Sequence, residues 1–121
     1  MPSSLHAADV ALRAVFAGVQ HVSLHTADPG RVGHGEIVGG AYRRQATIFG
    51  APQNGAVKNT ATLYFENMPE SKPTHFGVWS GGGHFLWGGV LRPDGEARTL
   101  TPVHAGNTVM VRVGVIQIVM E

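Results

Sequence analysis

Apolar and polar residues alternate along much of this chain, and the alternation predicts a protein built from short β-strands. The clearest example is the stretch Thr74–Arg92, in which two alternating runs flank the glycine-rich turn Ser80–Gly83. A period of two places successive side chains on opposite faces of a strand, and glycine closes a tight hairpin because it adopts positive φ without strain. The stretch holds both tryptophans and two of the five phenylalanines, so we expect it to form the centre of the core.

Further strands are predicted wherever the alternation recurs between turn-forming residues, at 20–26, 42–49, 60–65, 99–103, 109–113 and 115–120. In the second of these, we expect Tyr42, Gln45 or Ala46, and Ile48 to face the core. Short strands separated by turns indicate an antiparallel sandwich or barrel, since a parallel sheet would need crossover helices. We therefore predict a mainly β fold, a jelly-roll-like antiparallel β-sandwich, in one domain spanning residues 1–121.

One segment near the N-terminus has helical periodicity instead. After a potential N-cap at Ser3–Ser4, apolar residues recur at the spacing of one helix face, and Gly18 ends the pattern, which predicts a helix over about residues 5–16. The stripe consists of Leu5, Ala8, Leu12, Val15, Phe16 and Val19. A sandwich closes its core between its own two sheets, so we expect this stripe to cover an open end or a neighbouring subunit.

Composition and charge exclude several classes of function. The chain has 121 residues, no cysteine, a net charge of +1 and 14% charged residues. Without cysteine there is no disulfide, thiolate metal site or cysteine nucleophile, and a near-neutral chain lacks the basic face that binds nucleic acid. We expect no targeting or membrane-spanning segment. Low charge with 17 glycines fits either a surface covered by partners or a turn-rich β protein.

No motif in the chain predicts catalysis or a cofactor. Among the seven histidines, His21 and His25 lie four residues apart, but in a strand this separation is roughly 13 Å, too far for two ligands of one zinc ion. The glycine-rich loop at 30–40 has no lysine of a phosphate-binding motif after it, and Ser80 lacks the surroundings of a nucleophile elbow. We therefore predict no catalytic, cofactor-binding or metal-binding residue.

The chain nevertheless resembles a known family over nearly its whole length. The segments that carry the resemblance are 24–30 (LHTADPG), 35–45 (GEIVGGAYRRQ), 49–52 (FGAP), 74–79 (THFGVW), Phe85–Leu86, Gly88 and 106–108 (GNT). In this order they are similar to a widespread group of small tailed-bacteriophage proteins often labelled tail fibre protein. The chain departs from the usual pattern at Ser80, where the group has an acidic residue, and at Asn107, where it has aspartate; both departures fall at turns.

The resemblance implies a non-enzymatic structural protein of the virion, made in the cytoplasm of the host bacterium. Because a chain of this size has no room for a long fibre shaft, we expect a capsid decoration or cement protein slightly more than a small tail-fibre or tail-tip module. The expected partners are copies of the chain, most simply in a trimer, and major capsid or tail proteins. The helix or the loop at 30–40 should lie near the contacts between copies.

Seven residues are the candidates for these contacts: Leu5, Leu12, Phe16, Tyr42, Arg43, Trp79 and Trp87. An alternative hypothesis is a lectin-like module that recognises a host-surface glycan by stacking a sugar on Trp79, Trp87, Tyr42 or His84, although tryptophans are more often core residues. A third hypothesis is a small metal-dependent enzyme of jelly-roll shape. Sequence alone leaves the symmetry and the identity of the partner open.

Overall fold

Eight strands and one helix make up the part of the chain that the computed structural model describes, residues 5–91, 103–113 and 116–119. In chain order they are α1 (Leu5–Val15), β1 (Val19–His25), β2 (Gln45–Ile48), β3 (Ala56–Lys58), β4 (Leu63–Phe65), β5 (His75–Trp79), β6 (Phe85–Val90), β7 (Val109–Val111) and β8 (Gln117–Val119). All pairings between these strands are antiparallel. The prediction of a mainly β, antiparallel fold with one short N-terminal helix is confirmed.

The strands form one large sheet and two small ones. The large sheet has four strands in the order β2-β1-β5-β6, while β3 pairs with β8 and β4 pairs with β7. One hydrophobic core lies between them, because buried side chains from all three sheets and from α1 belong to the same cluster. Within the large sheet, Val22 of β1 is opposite Val78 of β5, and Leu24 is opposite Phe76. All four side chains are buried, so this pair of strands forms the centre of the core.

The predicted hairpin around the tryptophans is confirmed as β5 and β6. The two strands pair along their length, with an irregularity in the register between Val78 and Trp79. In the turn that joins them, Gly83 adopts a φ of 89°, a conformation that side chains with a Cβ rarely take. The amide of Gly83 donates to the carbonyl of Ser80 at 3.0 Å. The glycine-rich segment therefore forms the tight turn that was predicted from its sequence.

Helix α1 packs the centre of its predicted stripe onto the chain's own core, which favours an open end of the core, over a neighbouring subunit, as the surface that it covers. Ala8, Leu12 and Phe16, spaced four residues apart, are 1%, 0% and 6% exposed. The Phe16 ring packs edge-on against Phe49 with centroids 5.3 Å apart. A carboxylate on the same helix, Asp9, accepts a hydrogen bond from the amide of Gly55 at 2.7 Å. The small sheets leave one side of the core open, and α1 closes it.

Strand β2 turns Thr47 instead of the predicted Ile48 towards the core, whereas Tyr42, which precedes the strand, packs against the core as expected. Thr47 is buried and Ile48 is 54% exposed, because Thr47 lies opposite Gln20 on the inner face, whereas Ile48 lies opposite exposed Val19. The expectation for Ile48 is therefore wrong.

Several strand boundaries also differ from the prediction. Strand β3 was not predicted, whereas β4, β7 and β8, which are equally short, lie within longer predicted strands. Strand β4 begins three residues later than expected. The expected strand at 99–103 lies mostly outside the described residues, although Val103 forms an isolated bridge with Ser71. The potential N-cap at Ser3–Ser4 also lies outside them.

Candidate functional site

Strand β1 is buried on both of its faces, which is unusual for a strand of an antiparallel sheet with alternating sequence. Val22 and Leu24 point into the main core, and Ser23 and His25, which alternate with them, are also 0% exposed. Here the back face denotes the side of the large sheet that carries Ser23, His25 and Trp79. Because polar groups sit there without contact with water, something other than solvent must satisfy their hydrogen bonds.

A loop formed by residues 27–35 covers the back face. The loop is held at its ends, where the amide of Thr26 donates to the carbonyl of Gly35 at 3.0 Å, and internally, where the amides of Gly33 and His34 both donate to the carbonyl of Pro29. It lies so close to the sheet that a Cβ on Gly33 would come within 2.5 Å of the Trp79 ring. Contacts this short do not occur between real side chains, so only glycine fits there.

A second glycine, Gly77 of β5, leaves room for the polar groups beneath the loop. A Cβ at Gly77 would lie 2.6 Å from Ser23 Oγ, 2.7 Å from His25 Nε2 and 3.0 Å from the Phe85 ring. The Phe85 and Trp79 rings meet edge to face, with centroids 5.0 Å apart. These two rings therefore close the space over Ser23 and His25 from the side of the hairpin.

Three hydrogen bonds connect the hairpin, the sheet and the loop. Trp79 Nε1 donates to Ser23 Oγ at 2.8 Å, Ser23 Oγ lies 2.6 Å from His25 Nε2, and His25 Nδ1 lies 2.7 Å from the carbonyl oxygen of His34. A carbonyl oxygen can only accept, so we assign the proton of the neutral ring to Nδ1. Nε2 then accepts from the Ser23 hydroxyl. Burial lowers the pKa of His25 from its ordinary value, outweighing the bond to the His34 carbonyl, which raises it, and keeps the ring neutral.

A second cluster of polar groups surrounds Glu36, which follows the loop. Arg44 binds the carboxylate through two parallel bonds, Nε to Oε2 at 3.0 Å and Nη2 to Oε1 at 2.9 Å. The Tyr42 hydroxyl donates to Oε2 at 2.8 Å and accepts from the backbone amide of Leu24 at 2.9 Å. Burial by itself would raise the pKa of Glu36, but the hydrogen bonds from Arg44 and Tyr42 outweigh it and hold that pKa below its usual value.

Arg44 also connects the two clusters, because its guanidinium carbon lies 3.7 Å from the centroid of the Trp79 ring. This distance is that of a cation–π contact. Burial raises the pKa of Tyr42, and its bond to the negative carboxylate raises it further. Together, these residues form what we call the back-face network: Ser23, His25, Glu36, Tyr42, Arg44 and Trp79.

The back-face network can hold the loop in place, but its geometry does not resemble an open active site. A serine hydroxyl beside a histidine is the arrangement of a nucleophile and its base, yet both side chains are fully buried under Phe85 and the loop. No group of three or more histidine, aspartate or glutamate side chains in the described ranges could hold a metal ion. In the same ranges, no helix is long and apolar enough to span a membrane.

The candidate contact residues fall into different environments. Leu12 and Phe16 lie in the core, and Trp87 is half-buried against it. Tyr42 and Trp79 belong to the back-face network, while Arg43 is exposed beside a groove between β2 and β4. The backbone of Leu5 begins α1, and its side chain lies outside the described part of the structure.

The structure also corrects the hypothesis that Tyr42 and Trp79 are open platforms for a sugar. The Tyr42 ring stacks on Phe65, with planes 10° apart and centroids at 6.2 Å, and the Trp79 ring is covered by Arg44. The interpretation of the tryptophans as packed residues fits these contacts better.

Sequence reasoning missed Ser23, Glu36 and Arg44 as members of one site. Glu36 and Arg44 do lie in the segments that carry the family resemblance, as do His25, Tyr42 and Trp79. Segments that are distant in the chain and carry one resemblance are brought together on one face of the sheet. The signal available in the sequence was that these residues lie in segments that carry one family resemblance.

All of these segments lie within a match to one family of known proteins. A family model described as Podophage GP4 fiber I protein gp80 matches residues 9–118. No curated protein and no solved structure matches the chain.

Proposed function

The chain belongs to the podophage GP4 fiber I protein family, and from this membership we propose that it is a structural module of a fibre on the podophage tail. The resemblance to phage tail fibre proteins is thereby confirmed, and a fibre protein is a component of the virion. The family description names a fibre, which favours the tail-fibre position over the capsid decoration or cement role that chain length alone suggested. Synthesis in the host cytoplasm remains part of this proposal.

One observation carries the proposal: the family match covers residues 9–118, and so includes both the core and the back-face network. The polar groups of that network bind one another and the covering loop instead of facing solvent. A protein that works by holding a fixed shape needs loops that are locked in this way. The fold therefore fits a structural role without any catalytic residue.

We further propose that the module assembles as a homo-oligomer, with a trimer as the favoured state. The loop at 30–40 carries two valines that are largely in water, Val32 at 61% and Val38 at 84% exposed. On the outer side of α1, Val10 and Val15 are 50% and 44% exposed. Apolar side chains on these two surfaces are available to a second copy, because none of them is needed by the chain's own core.

The position in the virion can be tested by cryo-electron microscopy of the parent phage particle. Density for this fold in an appendage of the tail would support the proposal. Density on the capsid surface would overturn the fibre position and restore the decoration role.

Association is tested separately with Val38→Asp. A charge at this exposed position should leave the circular dichroism spectrum and melting temperature unchanged, since surface substitutions alter stability by about 0.5 kcal/mol or less. In light scattering coupled to size exclusion, we expect the wild type to have the mass of a trimer and the variant to shift towards the monomer. Val90→Asp, at a valine on β6 that is also exposed (53%), is the control. A monomeric wild type would contradict the proposed oligomer.

A further inference from the structure

An interrupted pairing between two neighbouring segments leaves a groove on the protein surface. Residues 41–50 and 58–67 run antiparallel to each other. They are joined at one end by bonds from the amide of Gly50 to the carbonyl of Lys58 (2.9 Å) and from the amide of Thr60 to the carbonyl of Ile48 (3.2 Å). At the other end, the amide of Ala41 donates to the carbonyl of Asn67 at 3.2 Å. Between these ends β2 pairs only with β1, and β4 pairs only with β7.

The gap between β2 and β4 has a volume of about 410 Å³, within the range of roughly 300–1,000 Å³ that is typical of small-molecule sites. We call it the β2–β4 groove. Most of its lining is polar and consists of Arg43, Gln45, Thr62, Tyr64, Glu66 and Asn67. Since strand pairing stops here, the backbone edges of both strands also border the groove.

Three polar side chains of the groove, those of Arg43, Tyr64 and Glu66, make no hydrogen bond or ion pair within the described residues. The Gln45 amide donates to the backbone carbonyl of Arg43 at 3.2 Å. Arg43 is a donor only and Glu66 an acceptor only, whereas the amides and hydroxyls can do both. The ring of Tyr64 is 52% exposed and offers an apolar surface beside these groups.

We propose that the β2–β4 groove binds a neutral carbohydrate of one or two sugar rings. The single positive charge of Arg43 is balanced by the single negative charge of Glu66, so the groove has no net charge with which to select an ion. Sugar hydroxyls donate and accept at once, which matches the mixed lining. The apolar face of a sugar ring can pack on the ring of Tyr64. This inference goes beyond the structural role in the fibre and does not depend on it.

The closed ends of the groove argue against a peptide strand as the ligand. A strand that added to an open sheet edge would need to lie lengthwise along it. Here backbone hydrogen bonds join the two walls at both ends, and the open part spans residues 42–47 on one wall and 61–66 on the other, or roughly 20 Å. One or two sugar rings fit this space, whereas an extended segment of more than about six residues would have to break the bonds at Ala41 or Thr60.

The proposal is tested on a glycan array that carries both neutral and acidic oligosaccharides, with the full chain as the labelled probe. We expect binding to at least one neutral oligosaccharide, and competition by the same saccharide free in solution. This competition, followed by titration calorimetry with the free saccharide, distinguishes recognition of the sugar itself from attachment to the array surface. Tyr64→Ala should weaken binding about threefold to tenfold through loss of the ring, while Tyr64→Phe, which keeps the ring, should bind more tightly than Tyr64→Ala.

The matched control is Met110→Ala. Met110 lies directly opposite Tyr64 in the β4–β7 pair and is 48% exposed, but it does not line the groove, so its variant should bind like the wild type. Ala46→Trp, which fills the groove, should abolish binding while the circular dichroism spectrum stays unchanged. Binding to no neutral saccharide, binding to acidic glycans alone, or binding that survives both Tyr64→Ala and Ala46→Trp would each overturn the proposal. None of these results would change the position of the protein in the virion.

Discussion

Arg43 and Arg44 are neighbours in the chain, yet they belong to two regions that treat polar groups in opposite ways. Arg44 makes two hydrogen bonds to Glu36 and covers Trp79, and every member of the back-face network has a partner inside the protein. Arg43 lines the β2–β4 groove, where its side chain and those of Tyr64 and Glu66 have no partner among the described residues. Polar residues therefore stabilise the fold in the back-face network and are available for a ligand in the β2–β4 groove.

The two regions differ because strand pairing is continuous on the back face and interrupted at the groove. On the back face, β1 pairs on both sides with β2 and β5, so the side chains above it are packed and must satisfy one another. At the groove, the pairing of two segments is interrupted and water reaches the side chains. Changes to the network should therefore affect folding, and changes to the groove should affect only binding.

The largest expected effect comes from adding one methyl group beneath the covering loop. In Gly77→Ala, the new Cβ would lie 2.6 Å from Ser23 Oγ and 2.7 Å from His25 Nε2, and none of these groups can move without breaking a buried hydrogen bond. We expect a loss of about 3 kcal/mol in the free energy of unfolding, the upper part of the range for overpacked cores. Urea denaturation followed by tryptophan fluorescence measures it.

The matched control is Gly81→Ala in the turn after β5. A Cβ there would meet only the carbonyl oxygen of Val19, at an ordinary 3.6 Å, so its unfolding free energy should change by about 0.5 kcal/mol or less. Equal stability for Gly77→Ala and the wild type would show that the space above Ser23 is open, and the back-face network as described would be wrong.

The two arginines provide the direct test of the comparison. Arg44→Ala leaves the half-buried Glu36 carboxylate with Tyr42 as its remaining partner and uncovers Trp79, so we expect a loss of about 2 kcal/mol, in the range for hydrogen bonds to charged groups. Arg43→Ala removes an exposed side chain that makes no hydrogen bond or ion pair within the described residues and should change stability by about 0.5 kcal/mol or less. Both values come from urea denaturation at neutral pH.

An additional variant, Arg44→Lys, separates charge from geometry. Lysine keeps the positive charge but cannot form two parallel bonds to a carboxylate, so its stability should fall between those of the wild type and Arg44→Ala. If Arg43→Ala proved as destabilising as Arg44→Ala, the proposed division of the surface into a folding region and a binding region would not hold.

The elements of the fold that could be predicted are those with enough residues to show a period. The β5–β6 hairpin, β1 and α1 each contain five or more residues, and their patterns were correctly interpreted. Strands β4, β7 and β8, with three residues each, were predicted as parts of longer strands, whereas β3 was missed and Ile48 of β2 was assigned to the wrong face. The sequence did not decide whether α1 covers an open end of the core or a neighbouring copy, because the alternation within strands does not reveal that two small sheets leave an open side.

The candidate site was less accessible to sequence reasoning. His21 and His25 were considered as a pair, whereas the partner of His25 is Ser23, two residues away and on the same side of the strand. Glu36 and Arg44 are ordinary charged residues by composition, and only the path of the covering loop brings Glu36 to β1. The groove arises from a pairing that stops, and no residue pattern predicts such an interruption.

The smallest expected effect is a loss of stability in mild acid, and it depends on the neutral ring of His25. Burial lowers the pKa of His25 in the folded protein below its ordinary value of 6.5, and the ring lies near Glu36, Arg44 and His75. The unfolded chain therefore binds this proton more readily than the folded one. The stability that the neutral His25 ring contributes is fully present above about pH 6.5. It falls as the pH decreases towards the lower pKa that His25 has in the folded protein, and it levels off below that pKa.

The slope of this decline is at most about 1.4 kcal/mol per pH unit for one group, so we measure melting temperatures between pH 8 and pH 5 and compare variants. His25→Gln should lose the decline below pH 6.5, whatever its stability at neutral pH, because it has no proton to bind there. His84→Gln, at an exposed histidine in the β5–β6 turn, should retain the decline. Glu36 adds to the loss of stability only in stronger acid. Because its pKa is lowered in the folded protein, its stabilising effect is lost as the pH falls below about 4.5. A wild-type melting temperature that stays constant from pH 8 to pH 5 would mean that folding does not lower the pKa of His25, and the description of its ring as buried and neutral in the back-face network would be wrong.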